Sequence, residues 1–208
     1  PSNSSAASEG YKRQFNAKGG VVLATGGFGA NPEMVKKYNP KIDERFKTTD
    51  APGTTGEALY MAERAGAELV NMGYIQTYPI CDPLSGAIEL IADARFDGAI
   101  MLNQEGKRFV EELQRRDVLS EAILNQTGRY CWVLWNDKIG SISNTVKAHA
   151  NEYEAFTKQG VMTTCDDLKC IADFTKIPFD QLQKTVKRVS DMAGKGNDQD
   201  FNLSLIHI

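Results

Sequence analysis

The segment VVLATGGFG, residues 21–29, decides how the first third of this chain is expected to fold. Its apolar run Val21–Ala24 is typical of a buried strand, which Thr25, Gly26 and Gly27 would close. Because glycine has no Cβ, a ligand can approach the main chain and its N–H donors at such a strand end. The same residues also suit a simple tight turn that leaves a sheet, so this motif alone leaves both interpretations open.

Two helices are predicted after the glycine segment. The stretch NPEMVKKYNP (31–40) is bracketed by prolines, and TTGEALYMAERAGAEL (54–69) has an apolar face and ends at Gly66. Residues 11–29 are expected to form two strands, so the order up to about residue 70 is strand, helix, helix, which is typical of an α/β layer. No GxGxxG motif follows a strand, and the residues present therefore do not complete a dinucleotide site.

The pattern changes near residues 70–73, where we predict a domain boundary. A hairpin is expected around Glu105 and Gly106. Thr164 is expected to be the N-cap of the helix predicted at residues 164–175. In the last helix, apolar residues recur at alternating spacings of three and four, so one stripe should be buried. The predicted elements of this part are strands at 73–79, 87–92, 98–103 and 130–136 and helices at 116–128, 143–160, 164–175 and 178–194.

Composition places the chain among ordinary globular proteins of one or two domains. It has 208 residues, of which 41% are hydrophobic and 25% are charged, and its formal net charge is -3. The lysines and arginines are scattered rather than clustered, which argues against nucleic acid as a partner. No apolar run approaches the ~20 residues of a membrane span, and no basic and then apolar signal segment opens the chain. The sequence thus predicts a soluble chain and leaves its compartment unknown, with a periplasmic or cell-surface address open for the full-length protein.

The cysteines and histidines indicate neither a metal site nor a disulfide framework. The four cysteines are too few and too irregularly spaced for a framework, and no CxxC motif or paired histidine suggests zinc. Buried or unreactive thiols are therefore expected. The cysteines are Cys81, Cys131, Cys165 and Cys170, and the histidines are His149 and His207.

A group of arginines lies in RFVEELQRRD, residues 108–117. One interpretation is a solvated charge cluster with weak ion pairs. The other is an arginine that points into a cleft, where it could bind a carboxylate through two hydrogen bonds or give a proton to a developing carbanion. Because the pKa of arginine is above ~12, the second role requires a dry site in which neighbouring groups pass the proton along.

Five motifs along the chain point to one family: ATGGFG, TTGEALYMAERAGAELVNMGYIQTYP, GAIMLNQEGKRFVEE, RRD followed by SEAILNQTG, and GNDQDF. Over roughly residues 12–202 they resemble the flavoprotein subunit of the soluble fumarate reductases and their flavocytochrome relatives. The resemblance implies FAD as cofactor, an α/β doubly wound FAD-binding domain with an α+β capping (clamp) domain, and reduction of a C=C bond conjugated to an acid. Residues 1–72 would be the late portion of the FAD domain and 73–202 the cap, whereas 203–208 are expected to be a non-native tail.

The resemblance also assigns roles to individual residues. The family's proton-donating arginine falls on Arg116, in the RRD motif, and an arginine that relays the proton or orients the donor falls on Arg95. Glu57 matches an acidic residue that the family places beside FAD. The flavin-side glycine motif falls on Ala24, Thr25, Gly26 and Gly27.

Two positions depart from the fumarate reductases. Tyr78 stands where they have histidine, and Ala92 stands where they have glutamate, with Asp93 beside it. A carboxylate can accept an imidazole N–H and a phenol can donate or accept a hydrogen bond, so Tyr78 and Asp93 suit an imidazole ring. This exchange resembles the urocanate reductase branch and predicts reduction of urocanate to imidazole propionate. Fumarate or an aryl acrylate as substrate, and a core role for Tyr78 beside a proline, stay open.

The resemblance further implies parts that lie outside this stretch. An opening FAD fingerprint would lie upstream, a histidine and an arginine for the substrate carboxylate would lie downstream, and a haem or flavin module would donate electrons. The partners expected are therefore a small unsaturated acid and an electron-donor module. The chain taken alone is expected to be an inactive fragment, and a non-catalytic fragment is the alternative from a different functional class.

Overall fold

The computed structural model describes residues 16–82 and 84–203 of the chain. These residues form helices and one small sheet, in agreement with the predicted mixture of α and β structure. The α-helices are α1 (Pro32–Tyr38), α2 (Glu57–Arg64), α3 (Arg116–Leu124), α4 (Asp137–Ile142), α5 (Thr145–Ala148), α6 (Ala150–Gln159), α7 (Leu168–Thr175) and α8 (Phe179–Ala193); the 3₁₀ helices are η1 (Ile91–Asp97) and η2 (Thr127–Arg129), and the strands are β1 (Ile100–Leu102) and β2 (Trp132–Leu134).

The segment 21–29 does not form the buried strand that its apolar run predicted. It has no regular secondary structure, and Val21 and Val22 keep 77% and 92% of their surface exposed. A strand is stable only when neighbouring strands pair with its N–H and C=O groups and its side chains are covered, and the described part of the chain places no strand beside it. The first of the two strands predicted within residues 11–29 falls largely outside the described residues.

A tight junction joins the glycine segment to α1 and α2. The Asn31 side chain accepts the N–H of Met34 and so caps α1, and its amide donates to the carbonyl of Thr55 at 2.9 Å. Gly56, which precedes α2, has φ +78°, and a Cβ at this position would lie 2.5 Å from the sulfur of Met34. Glycine is therefore needed for α2 to begin against α1.

Strands β1 and β2 pair antiparallel between two hydrophobic cores. Ile100 lies opposite Leu134, and Leu102 lies opposite Trp132. Since neighbouring side chains of a strand point to opposite faces, Met101 packs into one core, whereas Ile100 and Leu102 pack into the other. All three residues of β1 are buried, so this strand has protein on both faces.

The predicted hairpin turn at Gly106 is confirmed. The Gly106 N–H donates to the carbonyl of Asn103 at 2.9 Å, and a bridge between Leu102 and Arg108 brings the chain back beside β1. Gly106 has φ +75°, and a Cβ there would lie 2.6 Å from Cγ2 of Ile177. Both the backbone conformation and the close contact with the segment before α8 therefore require glycine.

Three other local predictions are wrong. Residues 73–79, predicted as a strand, form none. Residues 87–92 do not form a strand, because only Ile88 makes a bridge, to Cys81, before the chain turns into η1. Helix α7 is capped by Asp167, whose side chain accepts the Cys170 N–H at 2.8 Å, and not by Thr164. The hydroxyl of Thr164 bonds to a tyrosine of α6 instead. At residues 87–92 a long-range contact overrides a weak local preference, whereas at α7 one local cap stands in place of another.

Helix α8 buries the stripe that its spacing predicted. Leu182 is fully buried, and Val186 and Val189 pack against the core that contains Leu102. Neither α8 nor any other helix within residues 16–82 and 84–203 is both long and apolar enough to cross a membrane.

A disulfide joins two of the cysteines, which the sequence did not predict. Cys165 and Cys170 are bonded, and their Cα atoms are 5.6 Å apart. They meet because the first turn of α7 folds residue 170 back towards the cap at Asp167. Cys81 and Cys131 carry free thiols, and burial raises the pKa of Cys131 to about 12, so that thiol is neutral at pH 7.

Candidate functional site

Tyr78 and Asp93, the residues predicted to bind substrate, are hydrogen-bonded to each other. The Tyr78 hydroxyl donates to Oδ1 of Asp93 at 3.2 Å, and both side chains are half-buried. Burial raises the pKa of Tyr78, and the negative charge of Asp93 adds to this, although Arg95 opposes it. The phenol is therefore protonated at neutral pH and acts as a donor to the carboxylate.

Arg95 is buried and lies on the same 3₁₀ helix as Asp93, two positions further on. It is 3% exposed, and its Nη1 donates to the main-chain carbonyl of Glu112 at 3.1 Å. Its guanidinium carbon lies 4.2 Å from the centroid of the Phe96 ring, which is a cation–π distance. Its Nε has no hydrogen-bond partner among the described residues. A buried guanidinium with an unused donor can bind a further acceptor.

Arg116, the predicted proton donor, opens α3 and reaches the same pair. Its guanidinium carbon lies 5.1 Å from the centroid of the Tyr78 ring, and its Nη1 donates to Oε1 of Gln76 at 2.7 Å. Gln76 and Tyr78 are two positions apart in the chain, and the guanidinium of Arg116 contacts both side chains. Gln76 was not identified from the sequence, where nothing distinguishes an exposed glutamine from other polar residues.

One hydrophobic core brings these separate segments together. Ile80 follows Tyr78, Ala92 precedes Asp93, and Leu119 belongs to the α3 helix that begins at Arg116, and all three pack in this core. Leu119 is fully buried. The predicted catalytic and substrate-binding residues Tyr78, Asp93, Arg95 and Arg116 are thus gathered at one place by packing.

Ala92 explains why the carboxylate of this site lies one position further on. Its side chain is 4% exposed and packs among apolar residues of the core. An unpaired carboxylate at that position would be buried in apolar surroundings at a high free-energy cost. Asp93 instead points its carboxylate to the Tyr78 hydroxyl.

The predicted cofactor-binding residues lie beside a cleft that reaches Gln76. Ala24, Thr25, Gly26 and Gly27 are exposed, and the turn after them is tied to the segment before α2 by a hydrogen bond from Ala30 N to the carbonyl of Thr54 at 3.0 Å. The cleft has a volume of about 310 Å³. Its lining includes Gly27, Phe28, Gly29, Asp50, Tyr74 and Gln76.

The geometry at the glycines suits an edge of FAD. Gly26 has φ +81°, which side-chain-bearing residues rarely adopt, and a Cβ at Gly27 would have no heavy atom of the protein within 4 Å. The main chain is therefore open to a ring or ribityl group in the cleft. Glu57 is exposed in the first turn of α2, directly after Gly56. Gly56 lies close to the cleft wall, because a Cβ added to it would be 2.8 Å from the Cβ of Phe28. Glu57 and the glycine motif thus belong to the same side of the molecule.

The charged segment 108–117 divides into an exposed and a buried half. The pair Arg115–Asp117 is 75% and 62% exposed, as expected for a solvated cluster. Arg108, by contrast, is buried and pairs with Glu112 at 2.6 Å and with Asp198 at 2.8 Å. The Glu112 carboxylate also accepts the N–H of Met101 in β1, and the main-chain carbonyl of Glu112 accepts a hydrogen bond from Arg95. The buried half of the segment therefore holds Arg95 in position.

Comparisons with known proteins identify the family. Residues 3–207 match the family described as FAD binding domain. Urocanate reductase from Eggerthella lenta is 40% identical over 194 residues, which cover 93% of this chain and 32% of that protein. Fumarate reductase (cytochrome) from Shewanella frigidimarina is 36% identical over 192 residues, which cover 92% of this chain and 32% of that protein. The structure of the open conformation of a flavocytochrome c3 fumarate reductase matches 88% of this chain and 31% of its own, with a TM-score of 0.70 at 29% identity.

The chain spans about a third of the length of these curated relatives. The predicted resemblance to the soluble fumarate reductase flavoproteins and the predicted cofactor, FAD, are both confirmed by these matches. The chain belongs to the FAD binding domain family, and the proteins similar to it include a urocanate reductase and a fumarate reductase (cytochrome).

Proposed function

We propose that this chain is part of an FAD-dependent reductase that saturates the C=C bond of an unsaturated carboxylic acid, and that the acid is urocanate. The observation that carries the proposal is the hydrogen bond between Tyr78 and Asp93, 3.2 Å long, beside both Arg95 and Arg116. It combines a carboxylate, a phenol and two guanidinium groups, and Arg116 bonds to Gln76, which lines the cleft beside the glycine motif. The relatives include a urocanate reductase, which supports the choice of substrate.

The Tyr78–Asp93 pair is suited to an imidazole ring. A carboxylate has about four acceptor sites, so Asp93 can accept an imidazole N–H while it still accepts the Tyr78 hydroxyl. The raised pKa of Tyr78 keeps the phenol neutral, so no second negative charge opposes Asp93. The ring of a bound urocanate would lie at this pair and its acrylate would extend towards Arg116.

Arg116 acts as the proton donor in this proposal. FAD, when bound and reduced, supplies the hydride that adds to the β-carbon of the acrylate. Arg116 then protonates the α-carbon, and Gln76 and the Tyr78 ring hold its guanidinium in place. Arg95, buried next to the Tyr78 hydroxyl, orients the donor or returns a proton to it.

Exclusion of water is a condition of this chemistry. Arg116 and Gln76 are exposed in this chain, and a guanidinium is a poor acid in bulk water. We propose that the cofactor, the substrate and further parts of the protein cover them. In the same proposal, residues 1–72 belong to the FAD domain, 73–202 to the cap and 203–208 to a non-native tail, and a haem or flavin module donates electrons.

Fumarate is the second candidate, because a fumarate reductase is 36% identical to this chain and a flavocytochrome c3 fumarate reductase shares its fold. Against it stand Tyr78 and the buried Ala92, which replace the histidine and glutamate expected for a small dicarboxylate. An aryl acrylate is a third possibility, since Tyr78 and Asp93 discriminate less strongly against an aromatic acid.

The test is a substrate comparison on the complete protein that contains this chain. FAD content is measured first, and urocanate and fumarate are then compared in an anaerobic assay with a reduced dye as electron donor. We expect kcat/KM for urocanate to exceed that for fumarate by at least about tenfold, because the Asp93 carboxylate would face a second carboxylate of fumarate in place of an imidazole N–H. A preference for fumarate would show that the substrate is wrong. An FAD-loaded protein that reduces neither acid would show that the activity itself is wrong.

A further inference from the structure

The helix η1, which carries both Asp93 and Arg95, is a conformation that needs outside support. It runs from Ile91 to Asp97 and is seven residues long, whereas 3₁₀ helices longer than three or four residues are uncommon because their hydrogen bonds have poorer geometry. The N–H of Asp93 is bonded within the helix, to the carbonyl of Leu90. The N–H groups before it have no partner inside η1, as at any helix start.

Glu152, from α6, supplies that partner. Its Oε2 accepts the Leu90 N–H at 2.9 Å and the Ile91 N–H at 2.7 Å. The two segments are about sixty positions apart in the chain, so this contact exists only in the folded protein. A carboxylate is a strong acceptor, and a negative charge at the N-terminus of a helix is stabilising.

The same helical region also holds the other end of η1. The Ser143 hydroxyl, from the link between α4 and α5, donates to Oδ1 of Asp97 at 2.9 Å. Helices α4 and α5 both pack directly against η1. Residues 137–159 therefore fix η1 at its first and at its last residue, and Glu152 is the only charged group among these end contacts that acts on the main chain within the described part of the protein.

We propose that Glu152 is a positioning residue for Asp93 and Arg95. Without its carboxylate, two main-chain N–H groups at the start of η1 lose their partner, and the first turn of the helix opens. Asp93 lies in that turn and Arg95 in the next one. The Asp93 carboxylate then leaves the Tyr78 hydroxyl, and Arg95 leaves the Glu112 carbonyl. This inference rests on the proposed function for its effect on turnover, but its effect on η1 does not depend on that function.

The test compares three variants of the complete protein: Glu152→Ala, Glu152→Gln and, as the matched control on the exposed side of the same helix, Glu154→Ala. Local stability is measured first, by hydrogen exchange of the main-chain amides of residues 90–98. We expect exchange about tenfold faster in Glu152→Ala, an intermediate rate in Glu152→Gln, which keeps an acceptor oxygen, and no change in Glu154→Ala. Equal exchange in Glu152→Ala and Glu154→Ala would overturn the proposal.

Steady-state kinetics on whichever acid the wild type reduces give the second measurement. We expect Glu152→Ala to raise KM about fivefold through Asp93 and to lower kcat about tenfold through Arg95, with most of both effects restored in Glu152→Gln. A loss of folded protein alone would lower the maximal rate and leave KM unchanged. An unchanged KM together with unchanged exchange refutes the positioning role, whereas a wild type that reduces no urocanate refutes only the proposed substrate.

Discussion

The two parts of the described chain differ in how much of each is packed without a ligand. Residues 16–72 bury few apolar side chains, chiefly Met34, Val35 and Ala58, and leave the glycine motif exposed. Residues 73–203 contain both hydrophobic cores and the Tyr78–Asp93 pair. The chain's own packing therefore preorganises the substrate side of the proposed site, whereas the glycine side presents bare main chain to the proposed cofactor.

The largest expected effect concerns Arg116, the proposed proton donor, on the packed side. Arg116→Ala in the complete protein should lower kcat by roughly 10²–10⁴-fold, the usual contribution of a general acid, while FAD stays bound through the other side. Stopped-flow or steady-state reduction of urocanate, together with the flavin absorbance, measures both. The control is Arg115→Ala, which removes an exposed neighbour that pairs with Asp117. Retention of more than a few per cent of activity in Arg116→Ala would refute the donor role.

The second prediction tests the packing difference itself. Leu119→Ala removes a fully buried side chain from the core under the site and should lower the free energy of unfolding by about 2–5 kcal/mol. Val22→Ala, at a side chain that is 92% exposed, should change it by less than about 0.5 kcal/mol. Denaturant unfolding of both variants measures the contrast. Similar losses would mean that segment 21–29 is as well packed as residues 73–203.

The third prediction concerns substrate choice. Tyr78→His should lower kcat/KM for urocanate roughly ten- to hundredfold, because about 1–3 kcal/mol is lost when the phenol no longer pairs with Asp93. Tyr78→Phe removes the hydroxyl alone and separates its contribution from that of the ring under Arg116. Competition kinetics with urocanate and fumarate give the ratio directly. Unchanged urocanate kinetics in both variants would remove Tyr78 from the site.

The smallest effect is a pH dependence within the packed side. Burial, with the nearby charges of Asp82 and Glu152, raises the pKa of Glu89 from its ordinary value of 4.5 to about 7. Between pH 4.5 and about 7 Glu89 stays protonated in the folded protein but is ionised in the unfolded chain. The free energy of unfolding therefore falls as the pH rises through this range. Glu89→Gln should therefore be more stable than the wild type above pH 7 and show a flatter profile from pH 4.5 to 7. Thermal unfolding at several pH values measures this, with Glu154→Gln as the exposed control.

Local signals predicted the elements whose stability is decided within a few residues. The three-and-four spacing of α8, the glycine at the hairpin turn and the proline-bracketed helix α1 are such cases. Predictions failed where the outcome depends on distant partners. The apolar run Val21–Ala24 has no neighbouring strand in the described structure, and residues 87–92 enter a 3₁₀ helix held by Glu152.

For the candidate site, the motifs singled out Tyr78, Asp93, Arg95 and Arg116, and the structure brings these four side chains together. Gln76 was missed because an exposed glutamine carries no signal until its arginine partner is known. Arg108 and Glu112 lie in a segment whose charges also suit a solvated cluster, and their burial depends on Asp198, ninety positions away.

The sequence by itself determined the helices with strong periodicity, the turn glycines and the family of this chain, because these depend on residue types at short, constant spacings. The tertiary structure alone decided which polar groups share a site. Tyr78 meets Asp93 across fifteen positions, Arg116 meets Gln76 across forty, and Glu152 meets Ile91 across sixty-one. Such contacts arise from the packing of Ile80, Ala92 and Leu119 into one core, and packing is a property of the whole fold rather than of any one segment.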